Sequence, residues 1–121
     1  MLIFSLIMTA IISLTMIVFG FLLAKKTPKE INSLIGYRTP MSTKNKDTWE
    51  FAHKYSGKIW MKSGITTAII SFLLALTLQS LSIYNELMVA LIYIQILILL
   101  LVIPFTEIAL RKTFDKNGIK K

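Results

Sequence analysis

Leu87-Met88-Val89-Ala90-Leu91-Ile92-Tyr93-Ile94-Gln95-Ile96-Leu97-Ile98-Leu99-Leu100-Leu101-Val102-Ile103-Pro104-Phe105-Thr106 runs without a single charged side chain. A helix rising ~1.5 Å per residue over such a run spans about 30 Å, the thickness of the hydrocarbon core of a bilayer. Two further charge-free runs, 1–24 and 63–85, have the same reach. Three transmembrane helices are therefore expected, over about 1–24, 61–83 and 87–110, within a single three-helix membrane domain over 1–121. The composition agrees: the 121-residue chain is 55% hydrophobic, and its mean hydropathy of +0.66 exceeds that of ordinary soluble domains.

The formal net charge of +8 is placed unevenly. Lys25, Lys26, Lys29, Arg38, Lys44, Lys46, Lys54, Lys58 and Lys62 follow the first run, and Arg111, Lys112, Lys116, Lys120 and Lys121 follow the third. The Ser82–Glu86 turn carries no basic residue. Cytoplasmic segments are the ones enriched in Lys and Arg, which predicts the N-terminus outside and both the 25–60 loop and the C-terminus inside. Anionic lipid at the inner leaflet is the natural counterpart of such charge, and nucleic acid is not an expected partner. The first run has no basic residue before it and no small-residue cleavage site at its end, so it reads as a retained anchor rather than a cleavable signal. The sequence contains no cysteine, which excludes disulfides and thiolate chemistry.

Small and hydroxylated residues form stripes on the expected spans. Ser5, Thr9 and Ser13 recur every four residues on the first, and Gly64, Ala68, Ser71 and Ala75 share a face of the second. Such stripes let helix backbones approach closely where lipid removes the hydrophobic incentive to associate. Packing among the three helices is the plain reading, and contacts in a homo-oligomer are the alternative.

The 25–60 loop is richer than a connection requires. Thr27-Pro28-Lys29-Glu30 has the pattern of a helix start, with proline at the first helical position and a glutamate to close a capping box. A short helix through about Leu34 would end at Gly36, which accommodates a left-handed backbone. Tyr37-Arg38-Thr39-Pro40 is expected to be extended. Ser42 is a candidate cap for a second surface helix running toward Lys58 and able to continue into the second span. Trp49, Ala52, His53 and Ser56 would share one side of it, and Lys46, Glu50 and Lys54 an i, i+4 series. Trp49, Tyr55 and Trp60 suit the headgroup layer. The fold class is accordingly an all-α membrane protein: three transmembrane helices with a structured cytoplasmic loop containing short interfacial helices.

No enzyme signature is present: there is no phosphate-binding glycine loop, His-x-x-x-His pair, or Ser/His/Asp set at recognisable spacing. His53 is the lone histidine, so it reads as a hydrogen-bonding partner rather than a metal ligand, and neither metal nor cofactor is expected. Arg38, Lys44 and Asn45 sit near turns at the bilayer surface, where an arginine fork and backbone N–H groups suit a phosphate or a carboxylate; ordinary headgroup contact is the alternative. Glu107 lies near the end of the third span and requires a partner. Arg111, one turn on, is the nearest; Arg38 and Lys44, reached across from the loop, are the others. Gln95 falls mid-span, where an amide serves as packing glue or lines a ligand site.

The set Pro28, Asn32, Gly36-Tyr37-Arg38-Thr39, Ser42, Lys44-Asn45, Trp49, Ala52 and Gly57-Lys58, with the tail Glu107, Leu110-Arg111-Lys112 and Phe114-Asp115-Lys116-Asn117-Gly118, resembles the SdpI/YfhL family of small bacterial membrane proteins. The likeness extends over essentially the whole chain, in the manner of the short three-helix members. It implies a multi-pass protein of the bacterial cell membrane that confers immunity to a membrane-active antimicrobial peptide, an SdpC-like toxin. It also implies a signalling role, in which a cytosolic repressor is held at the membrane. The residues Asn32, Gly36, Tyr37, Arg38, Thr39, Ser42, Lys44, Asn45, Trp49, His53, Lys58, Gln95 and Glu107 are the candidate motif or ligand-binding positions. The expected partners are membrane lipids, a peptide toxin, a cytosolic repressor and further copies of the chain. The alternative function is a small lipid- or solute-handling protein, transporter-like or lipid-modifying, that binds a phosphate group through its basic loop. The immunity reading carries a tension, because the toxin arrives from outside while the motif is expected inside. Either the toxin inserts deeply, or the motif binds a headgroup, a repressor or its own helices.

Overall fold

A computed structural model describes residues 1–29, 31 and 36–121. Its three helices are α1 (Leu2–Lys25), α2 (Lys46–Thr77) and α3 (Tyr84–Thr113), each long and apolar enough to cross a membrane. Hydrocarbon offers no partner to backbone N–H and C=O groups, so an apolar run of this length closes its hydrogen bonds within a helix. The helices are joined so that the described residues of 26–45 and the segment after Thr113 lie at one end of the bundle and the Leu78–Ile83 turn at the other.

The expected surface helix from Ser42 and the span over 61–83 are one element. At 32 residues, α2 is about 48 Å long, some three turns more than the hydrocarbon requires. Nothing between Lys46 and Thr77 breaks a helix, so the surface part and the span fuse. The start differs from expectation as well: Asn45, not Ser42, caps α2. The expected helix over 27–34 falls largely on residues outside those described; Thr27, Pro28 and Lys29 are not helical. Tyr37-Arg38-Thr39 has no regular secondary structure, as the following proline dictates.

α1 and α2 pack through their small residues. Ser5, Thr9, Ser13, Gly20 and Ala24 are buried on α1, and Gly57, Gly64, Ser71 and Ala75 on α2. A methyl group added to Gly20 would lie 2.7 Å from the Gly57 carbonyl oxygen, and one added to Gly57 would lie 2.6 Å from the Ala24 nitrogen. The backbones therefore touch where only hydrogen fits. Gly57→Leu is expected to force the pair apart at a cost of about 1–3 kcal/mol, read as a lower thermal unfolding midpoint in detergent. An unchanged midpoint would show that the helices are further apart than this.

α3 joins through a polar clasp. Gln95, buried mid-span, donates from Nε2 to Thr9 Oγ1 at 2.9 Å and to Ser71 Oγ at 2.8 Å. One amide thus ties all three helices at a depth where water is absent. At the turn end, Tyr84 Oη donates to the Ala75 carbonyl at 2.6 Å, within a cluster of Ala75, Tyr84 and Met88. This bond closes the Leu78–Ile83 turn, and α2 stops at Thr77 rather than near 83. At the opposite end Ala52, Leu110 and Phe114 form a second cluster, with Tyr37, Met41 and Phe51 packed against it.

Candidate functional site

The second cluster is the floor of a hydrogen-bonded module built from the loop, the first turns of α2 and the chain end. Asn45 begins it. Its side-chain oxygen accepts from the Thr48 N–H at 2.9 Å, while Thr48 Oγ1 accepts from the Asn45 N–H at 3.1 Å, a reciprocal cap that satisfies donors left free at a helix start. The other end of the same amide is used as well: Asn45 Nδ2 donates to the Gly118 carbonyl at 2.7 Å. Gly118, with φ +80°, sits in a hook after α3 closed by an antiparallel bridge between Phe114 and Lys120. Asp115 Oδ1 accepts from the N–H groups of Asn117 and Ile119 inside that hook.

Ser42 closes the loop rather than capping a helix. It is fully buried; its Oγ accepts from the Thr39 N–H at 2.8 Å, and its own N–H donates to Thr39 Oγ1 at 3.1 Å. Its carbonyl accepts from Thr48 Oγ1 at 3.0 Å, which joins the loop turn to the α2 cap.

His53 anchors the loop from below. Its Nε2 lies 2.9 Å from the Tyr37 nitrogen, and because an amide N–H only donates, Nε2 must be the acceptor. The proton then sits on Nδ1, which donates to the Trp49 carbonyl at 2.7 Å. Both ring nitrogens are thus committed, and the tautomer is set by the partners. The backbone can lie this close only because Gly36 precedes Tyr37: its φ is +109°, and a Cβ there would overlap His53 Nε2. The ring also stacks obliquely on Trp49, centroid to centroid 4.2 Å.

Trp49 packs inside the protein instead of facing headgroups as expected. It is 1% exposed, and its Nε1 donates to the Pro28 carbonyl at 2.8 Å. Trp60 likewise turns inward, Nε1 donating to the Leu99 carbonyl at 3.0 Å. The Pro28 carbonyl lies in irregular backbone after α1 and the Leu99 carbonyl within α3, so each indole pairs with the backbone of a neighbouring segment.

Glu107 also differs from expectation. Its partner is Tyr37, whose hydroxyl lies 2.9 Å from Oε1 and 3.2 Å from the Ile103 carbonyl. Burial and the neighbouring carboxylate hold the Tyr37 hydroxyl far above its ordinary pKa, so it remains a donor throughout the physiological range. Neither Arg111 nor Arg38 nor Lys44 comes within ion-pair distance; the one ion pair among the described residues is the exposed Glu50–Lys54 pair at 2.6 Å. The loop is tethered to α3, but by a neutral hydroxyl. Arg111 is exposed, and water solvates it at less cost than burial against Glu107 would.

The structure thus brings Gly36, Tyr37, Thr39, Ser42, Asn45, Trp49, His53 and Glu107 into one module. Gln95 lies apart in the mid-span clasp, its Oε1 buried without a protein partner among the described residues. Arg38, Lys44 and Lys58 are exposed, and Asn32 lies outside the described residues. Thr48, Pro28 and Gly118 were missed as candidates. Asn45-x-x-Thr48 is a legible capping signal, whereas nothing in the sequence says which carbonyl an indole or amide will reach.

Beside the module, α1 and α3 part to leave a cleft of about 680 Å³. Its walls are apolar, and Lys26 and Arg38 stand at one end.

Comparison with known proteins places this geometry in context. The model of a family described as the SdpI/YfhL protein family matches residues 29–106. Over 59 residues the chain is 39% identical to a protein of Bacillus subtilis (strain 168) described as "Uncharacterized protein YfhL", a stretch covering 49% of this chain and 54% of that protein. The chain spans about half the length of this curated relative. No solved structure matches.

Proposed function

The chain belongs to the SdpI/YfhL protein family, and from that premise we propose that it is a non-enzymatic immunity protein of the bacterial cell membrane. In this reading it protects the cell against a membrane-active antimicrobial peptide. The observation that carries the proposal is the module itself. Gly36, Tyr37, Thr39, Ser42, Asn45, Trp49 and Glu107, which belong to the set that carries the family likeness, fold with His53 into one internally bonded unit at a single end of the bundle, and Arg38 is left exposed beside it. A mere connection would not need His53, Trp49, Tyr37 and Glu107 locked together. The titratable groups at the heart of the module are already committed, His53 to two backbone groups and Glu107 and Tyr37 to each other. That commitment argues for recognition rather than proton transfer.

Lys and Arg cluster at the module end, which supports its placement on the cytoplasmic side with Met1 outside. The earlier tension then resolves in part: most of the motif binds its own helices, and what remains for a partner is the exposed basic face. A toxin engaging that face must insert deeply; a cytosolic repressor would reach it directly.

Challenge of a sensitive strain with the peptide tests the proposal. Expression of the chain is expected to raise survival. Arg38→Ala is expected to reduce protection by at least about tenfold, as loss of one charge-assisted contact of about 1.5–3 kcal/mol does, whereas Lys121→Ala leaves it intact. Equal loss in both variants at matched membrane expression would reduce the module to ordinary headgroup contact. A separate observation, the cleft beside Arg38, favours the lipid-handling alternative.

A further inference from the structure

We propose that the cleft between α1 and α3 seats one anionic phospholipid, its phosphate held by Lys26 and Arg38 and one acyl chain laid along the apolar wall. The inference concerns a resident lipid and does not rest on the immunity reading.

Polarity along the cleft is ordered as a lipid requires. Lys26 follows directly on the last residue of α1, so it marks the level where the apolar run meets headgroups. Phe19 and Leu22 line the same cleft up to two turns deeper; seven residues of helix separate Phe19 from Lys26, about 10 Å along the axis. On the facing side Leu99 and Ile103 of α3 continue the apolar wall. Charge thus stands at one end and hydrocarbon at the other, parallel to the bilayer normal.

The charged end is of one sign. Among the described residues that line the cleft none is acidic, and both cations are exposed. An arginine fork and a lysine together suit a phosphate whose charge is not already offset by an ammonium in the same headgroup. Arg38 is carried by the loop that His53 and Glu107 pin through Tyr37, so its backbone is positioned before any ligand arrives.

The cleft is a groove of about 680 Å³, and its apolar wall gives a single flexible acyl chain a surface to lie along.

The test uses the purified full chain in detergent, with dioleoyl phosphatidylglycerol or dioleoyl phosphatidylcholine added at equal mole fraction and bound lipid counted by native mass spectrometry. Phosphatidylglycerol is expected to be retained preferentially. Each of Lys26→Ala and Arg38→Ala should weaken its retention about fivefold, the usual effect of one basic residue near an anionic surface. Leu22→Trp, which fills the apolar end and leaves both charges, should also reduce it. Equal retention of the two lipids would overturn the proposal. So would retention unaltered by Leu22→Trp, because the headgroup would then be held without a seated chain. Displacement of the lipid by millimolar inorganic phosphate would assign the basic end to free phosphate instead. A two-chain species that excludes lipid and is dissociated by Leu22→Trp would assign the cleft to a second copy.

Discussion

Trp49→Ala is expected to lower stability by about 3–5 kcal/mol, the range for truncating a buried aromatic side chain. Three losses coincide at this position. Removal of the indole leaves a void beside His53, the Pro28 carbonyl loses its donor, and His53 loses the ring that it stacks on. The first and third unseat the imidazole that holds Tyr37, so the damage should spread to the loop. Limited trypsin digestion in detergent reads this directly, because Arg38 and Lys44 become cleavable when the loop detaches. Trp49→Phe keeps most of the volume and loses only the hydrogen bond, about 1 kcal/mol, so it should remain largely resistant. If Trp49→Ala resisted trypsin as well as the parent, the indole would not be what holds His53 and the loop in place.

That contrast shows where the sequence is legible. The three apolar runs could hardly be read otherwise, because length and the absence of charge act over twenty residues at a time and no tertiary contact overrides them. The small-residue faces were legible for the same reason: spacing puts Ser5, Thr9 and Ser13 on one stripe whatever they meet. Fusion of the surface helix with the second span was also visible as an option, since no proline or turn intervenes.

Partner choice was not legible. Glu107 has a cation one turn away in sequence, and local reasoning pairs the two; the structure gives it Tyr37, seventy residues distant. Trp49 has the chemistry of an interfacial anchor, yet a carbonyl beyond α1 takes its N–H. In both cases a long-range contact replaces a local one, and only the packing of the loop over α2 decides between them. Asn45 lay between: its capping role is written in the Asn-x-x-Thr spacing, but its bond to Gly118 depends on how the chain end folds back. The module is therefore a tertiary product of residues whose types, but not whose pairings, the sequence declares.

Gly36 and His53 offer the sharpest test of that pairing, because their coupling has a sign. Gly36→Ala is expected to cost about 1–3 kcal/mol for placing a side chain at positive φ, and overlap of the new methyl with His53 Nε2 adds about 1–3 kcal/mol of overpacking. His53→Ala alone removes the acceptor of the part-buried Tyr37 N–H, at about 1 kcal/mol for the lost hydrogen bond, and leaves a void against Trp49. In the double variant the overlap vanishes while the backbone strain stays. The two substitutions should therefore be less than additive by about 1–3 kcal/mol, the size of the relieved contact. Thermal or denaturant unfolding of the four proteins in one detergent supplies the cycle. Additive losses would mean that the imidazole does not lie against Gly36, and the loop would then be held by Tyr37 and Glu107 without the ring beneath it.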